Sequence, residues 1–134
     1  MPNQTKVNSK PLNQLIEKGK LDLIIERTRK GGGEIGKLLQ KGSAFYAPAS
    51  AGIEMGESYI KNLKKILPCA AYLNGEYGVK NLYVGVPVVI GSGGVEKVVE
   101  LTLDEKETQN LNTSIKAVKK LYEAACKIDQ DLNH

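Results

Sequence analysis

Leu82-Tyr83-Val84-Gly85-Val86-Pro87-Val88-Val89-Ile90 is the stretch on which the reading of the fold turns. Leu82, Val84, Val86, Val88 and Ile90 recur at every second position, so a strand would present all five on one face. That alternation marks a sheet with one face packed on a core, as antiparallel sheets commonly have. Upstream, Lys65-Ile-Leu-Pro-Cys-Ala-Ala-Tyr-Leu73 reads as a second strand, and Asn74-Gly75 between them is a strong turn signal. Downstream, Gly91-Ser92-Gly93-Gly94 turns the chain into a third strand near 95–103, with Val99, Leu101 and Leu103 on one face.

Helical periodicity surrounds this meander. Asp104 with Glu107 makes a capping-box pattern that opens a final helix, with the stripe Leu111, Ile115, Val118, Leu121, Ala125, Ile128 and Leu132. Before the strands, Pro48 fits an early helical turn, and that helix is expected to run to about Leu63. Leu21, Ile24, Ile25 and Thr28, then Ile35, Leu38 and Leu39, predict one long helix over 20–41, strained or broken at Gly31-Gly32-Gly33. At the start, residues 4–12 read as a hairpin turning at Asn8-Ser9, and Leu12–Glu17 as a short helix ending at Gly19. Helices, then a run of strands, then a helix predict an α+β domain, an antiparallel sheet packed with long helices.

Length and composition exclude several function classes. The 134 residues suit one domain, and no apolar run approaches the ~20 residues of a membrane span. Met1-Pro2-Asn3-Gln4-Thr5 has no secretory-signal pattern, which points to a cytoplasmic protein. The net charge of +4 comes almost wholly from scattered lysines beside acids; Arg27 and Arg29 are the only arginines, so nucleic-acid binding is not expected. Cys69 and Cys126 sit in apolar stretches and read as reduced core residues. No His, Cys, Asp or Glu cluster has metal spacing, and the one histidine, His134, is the last residue.

Gly31-Gly32-Gly33-Glu34-Ile35-Gly36 matches a dinucleotide fingerprint literally. The segment before it is amphipathic and helical, where the fingerprint needs a buried strand, so close helix packing or a bend is the better reading. Glu54 and Glu57 can share one solvated helix face, and Glu76 falls in a turn. Gly42-Ser43-Ala44-Phe45-Tyr46-Ala47-Pro48 differs from all of these. It is small and partly apolar and leads into a helix whose free N–H groups can face an anion, which makes it a candidate pocket wall or plain packing.

Four stretches carry a resemblance. They are Glu26–Ile35, Lys41–Ser50, Leu67–Val79 and Leu82–Gly91. In order and spacing they resemble the C-terminal domain of the lactate/malate dehydrogenase family, closest to the lactate-dehydrogenase-like malate dehydrogenases of bacteria, across roughly residues 4 to 130. The resemblance implies that domain's fold over residues 1–134, and a role as the substrate-binding half of an enzyme that oxidises malate to oxaloacetate with NAD. In the family the Rossmann domain, the catalytic histidine with its aspartate, and the substrate arginines lie upstream of the matched region. The chain is therefore expected to be a truncated or split product without the N-terminal Rossmann domain. Alone it is expected to be inactive, to hold no catalytic residue and to bind no NAD. The family pattern implies Ser43, Ala44 and Pro48 as lining positions of the substrate and nicotinamide pocket. The expected partners are malate or oxaloacetate in the complete enzyme, a separately encoded N-terminal half, and further copies of the chain. The alternatives are a non-enzymatic assembly domain and a fragment of a lactate dehydrogenase.

Overall fold

The computed structural model describes residues 4–132; Met1–Asn3, Asn133 and His134 lie outside the described residues. The chain divides into two units, residues 1–51 and 52–134, with the boundary inside a helix.

In the first unit β1 (Lys6–Val7) and β2 (Lys10–Pro11) form the expected hairpin, Lys6 opposite Pro11 and Val7 opposite Lys10. Asn8 and Ser9 turn it with φ of 49° and 67°, the left-handed pair that an Asn-led two-residue turn favours. Leu12–Gln14 is a single 3-10 turn, and Gly19 does not end a helix there. It is the second residue of α1, which runs from Lys18 to Leu39.

The expected break at Gly31-Gly32-Gly33 is absent, since α1 is continuous through them. Each glycine costs a helix about 1 kcal/mol against alanine, but that is a penalty to be outweighed, not a stop. Arg27 reaches across the three glycines to Glu34 with a two-pronged contact, Nε to Oε2 at 3.1 Å and Nη2 to Oε1 at 2.8 Å. Lys30 pairs with Glu26 one turn back at 2.7 Å. Close packing of the glycines is not found either: among the described residues nothing approaches within 4 Å of a Cβ built on Gly31, Gly32, Gly33 or Gly36.

The second unit holds the core. β3 (Lys65–Asn74), β4 (Lys80–Gly91) and β5 (Gly94–Val98) form an antiparallel sheet in that order. Cys69, Ala71 and Leu73 of β3 and Leu82, Val84, Val86, Val88 and Ile90 of β4 are buried on one face, as the alternation predicts. The helix α3 (Glu105–Ile128) covers that face with Leu111 and Ile115. Farther along, Leu121 and Ile128 of the same stripe are exposed.

β5 is shorter than the expected 95–103, and Pro87 supplies the reason. The β4–β5 ladder begins at Gly91–Gly94 and ends at Val88–Val98. At the next position Val99 donates its N–H to the Pro87 carbonyl at 2.8 Å, but Pro87 has no N–H to return. The pair that would continue the ladder makes one bond of two. On its other side Pro87 faces Pro68 of β3. Because the Pro87 carbonyl points at β5, this is a non-hydrogen-bonded pair, so neither proline removes a bond from the β3–β4 ladder.

Side chains then hold residues 99–101. Tyr77, in the 3-10 turn Glu76–Gly78, donates its hydroxyl to Val99 O at 3.0 Å and accepts from Leu101 N at 2.9 Å. Its own N–H goes to Glu100 Oε1 at 2.7 Å.

The capping box at α3 is formed: Glu107 N donates to Asp104 Oδ1 at 2.7 Å and Asp104 N to Glu107 Oε2 at 3.4 Å. Asp104→Ala should destabilise the chain by about 1 kcal/mol, whereas Asp104→Ser keeps an acceptor and most of the stability. Urea unfolding checks this as a lower midpoint at unchanged slope for the alanine variant alone.

Candidate functional site

The candidate wall is the turn between α1 and the helix α2 (Tyr46–Ile60). Gln40 leaves α1 at φ 58°, and Lys41 N donates to Leu39 O at 2.6 Å, so the chain reverses tightly. Gly42 follows at φ 89°, a conformation a side chain rarely adopts. A Cβ there would lie 3.7 Å from the Phe45 ring, an ordinary contact, so it is the backbone angle that asks for glycine.

Ala49 N donates to Phe45 O at 3.0 Å, which makes Phe45 the first acceptor of α2. Pro48 is the third helical residue, where its missing N–H removes no helical bond. Tyr46 and Ala47 supply the other N–H groups of that turn. Ala44 is half-buried, and Ser43 and Pro48 are exposed. The Phe45 and Tyr46 rings stand 4.8 Å apart at 43° and are more than half exposed. Of the three residues singled out from the sequence, Ser43 and Ala44 lie in the turn and Pro48 in the first turn of α2, with the Phe45 and Tyr46 rings between them.

The other candidates behave as surface. The literal glycine fingerprint lies inside α1, with no strand-to-helix turn at which a pyrophosphate could meet free N–H groups. An open groove of about 820 Å³ runs along α1 past Leu23, Glu26, Arg27, Arg29 and Glu34, and includes none of Ser43, Ala44 and Pro48. Within it the Arg27 fork is already filled by Glu34. That hydrogen bond and its charge hold the Glu34 carboxyl below the usual range and raise the Arg27 guanidinium.

Glu54 pairs with Lys65 at 3.1 Å and Glu57 with Lys61, so neither acid is set against the other. The Lys61 contact lowers the Glu57 carboxyl. Glu76 is lowered by its own backbone N–H and that of Asn74. Cys69 is buried, which pushes its thiol up and leaves it unreactive, and no disulfide joins it to Cys126. No group of three metal-ligating side chains occurs among the described residues. No helix among them is long and apolar enough to cross a membrane.

Two anchors escaped the sequence reading. Ser58 is fully buried; its hydroxyl donates to Ile90 O at 2.7 Å and accepts from Lys65 N at 3.2 Å. A serine between Glu57 and Tyr59 carries no periodic signal of burial. Tyr77 lies just past the Asn74-Gly75 turn signal, but its bonds to residues 99–101 depend on a segment 22 residues away in sequence.

Antiparallel strands backed by a C-terminal helix in one unit, and a long helix with a tight turn after it in the other, make up an α+β architecture. The sequence profile described as the lactate/malate dehydrogenase alpha/beta C-terminal domain matches residues 3–128, and the chain belongs to that family. It is 57% identical over 138 residues to the malate dehydrogenase of Pelagibacter ubique, a match covering 99% of this chain and 43% of that protein. Malate dehydrogenase 1 of Anaeromyxobacter dehalogenans is 61% identical over 110 residues, covering 82% of the chain and 35% of the relative. Among solved structures, the malate dehydrogenase of Salinibacter ruber superimposes with a TM-score of 0.93 at 44% identity, over 98% of this chain and 43% of that one. The lactate dehydrogenase of Eimeria maxima, solved with NADH and oxamate, gives 0.92 at 37% identity, over 97% and 42%. The chain therefore spans less than half the length of the relatives it matches.

Proposed function

We propose that residues 1–134 act as the substrate-binding domain of an NAD-dependent malate dehydrogenase of the cytoplasm. Ser43, Ala44 and Pro48 form its contribution to the wall of the substrate and nicotinamide pocket. The observation that carries this reading is the 57% identity to a malate dehydrogenase along 99% of the chain. Malate is preferred to lactate because the curated relatives described above are malate dehydrogenases, although a lactate dehydrogenase also shares the fold.

Hydride transfer requires cofactor, acid/base and carboxylate clamp in one constellation. The one glycine fingerprint is interior to α1, so among the described residues it offers no strand-to-helix turn for a dinucleotide. Their arginine fork is closed on Glu34. NAD and the reacting groups are therefore assigned to a Rossmann half, and this domain shapes the opposite wall and excludes water there.

The purified 134-residue chain is expected to give no oxaloacetate-dependent loss of NADH absorbance. Mixing it with a separately produced Rossmann half of the Pelagibacter enzyme should restore turnover. Normal turnover by the chain alone, or a silent mixture of two folded halves, would sink the proposal.

A second reading, an assembly domain that pairs with further copies, is favoured by α2. Tyr46, Ile53 and Ile60 are 79%, 72% and 80% exposed. Their seven-residue spacing puts them on one stripe of the helix, and an exposed apolar stripe is normally covered. Light scattering that shows mass rising with concentration supports this reading, and a monomer throughout removes it.

A further inference from the structure

Asn74 is the only asparagine in the chain followed by glycine. It ends β3 in an exposed position, just past a register shift between Leu73 and Asn74. Gly75 adopts φ +138°, and nothing lies within 4 Å of where its Cβ would be. A side chain at this position would hinder approach of its own backbone nitrogen to the preceding amide, and glycine has none.

We propose that Asn74-Gly75 is a spontaneous covalent modification site whose rate is governed by Tyr77. The Gly75 backbone nitrogen gives up its proton to solvent base and attacks Asn74 Cγ. The new N–Cγ bond closes a five-membered cyclic imide. The Cγ–Nδ2 bond breaks and Nδ2 leaves as ammonia. Water then opens the imide at one of its two carbonyls, giving aspartate or isoaspartate at position 74. The net change is one water consumed and one ammonia released, with nothing oxidised or reduced.

The gate is visible in the turn. Gly75 N–H is engaged with Val79 O at 2.8 Å, and Gly75 O accepts from Gly78 N at 3.0 Å. A nitrogen held in that bond is not a nucleophile, so reaction waits for the turn to open. Opening is resisted by Tyr77, which sits between these residues at φ 50° and is bound through three hydrogen bonds to Val99, Glu100 and Leu101. The product places a new carboxylate beside Glu76, whose Oε2 now accepts from Asn74 N at 2.8 Å. Isoaspartate also adds a carbon to the backbone at the last β3–β4 pair, Asn74 with Lys80.

The test is to hold the purified chain in mildly alkaline buffer, natively and in urea, and to weigh the peptide containing Asn74 over time. The native peptide should gain one mass unit, split into two chromatographic forms, and do so more slowly than in urea. Asn74→Gln should abolish the gain. Tyr77→Phe, which keeps the ring and loses both hydroxyl bonds, should speed the native reaction about fivefold. If that variant does not fold, Glu100→Ala, which frees only the Tyr77 N–H, should also be faster than the parent chain. A native peptide that stays unchanged while the urea sample converts completely overturns the site. Equal rates in the parent chain and in folded Tyr77→Phe or Glu100→Ala overturn the gate.

Discussion

Leu73→Ala is expected to lower the stability of the second unit by about 2–5 kcal/mol, a large share of the roughly 5–15 kcal/mol that holds a domain together. Leu73 is fully buried and stands opposite Leu82, which is 6% exposed. Truncation removes the transfer energy of the side chain and leaves a void between two strands and a helix, where neighbours collapse only partly. Leu73→Met, near the same volume, should cost less than about 1.5 kcal/mol. Urea midpoints of the two variants check the pair, and a Leu73→Ala midpoint close to the parent's would show that this face is not the core.

Ser58→Ala is the second large effect. The hydroxyl serves two strands at once, as donor to Ile90 O and acceptor from Lys65 N. Its removal in a fully buried position should destabilise the unit by about 1–3 kcal/mol, because the Lys65 N–H loses its acceptor. Amide exchange separates the two variants. Leu73→Ala should speed exchange throughout the sheet, while Ser58→Ala should speed it first at Lys65 and Ile66. Exchange at Lys65 equal to the parent's would mean that the serine bond contributes nothing.

What was legible in the sequence follows from which interactions are local. Five alternating apolar residues from Leu82 to Ile90 determine which face is buried, because a strand has no other way to share them. Asp104 and Glu107 lie within one turn, so the capping box could be read directly. Asn8-Ser9 likewise carries its own turn chemistry. The end of β5 was not legible, because it depends on Pro87 standing opposite Val99, a pairing known only once the register is known. The long helix was legible, but its unbroken run through Gly31-Gly32-Gly33 was not, because propensity counts the cost of each glycine without what offsets it. For the candidate wall, the residues alone supported only a small, partly apolar turn before a helix. Ser43, Ala44 and Pro48 were singled out by resemblance alone; Ser43 and Ala44 fall in that turn and Pro48 in the first turn of α2.

Pro68 has a further effect beyond the ladder it leaves intact. As the partner of Pro87 in a non-hydrogen-bonded pair, its backbone nitrogen faces away from β4, toward the open side of β3. An approaching extended segment would find an interrupted row of donors in the middle of a ten-residue strand. This edge is a poor template for runaway strand addition, and Pro68→Ala should make the chain more prone to form fibrils while changing its folded core little.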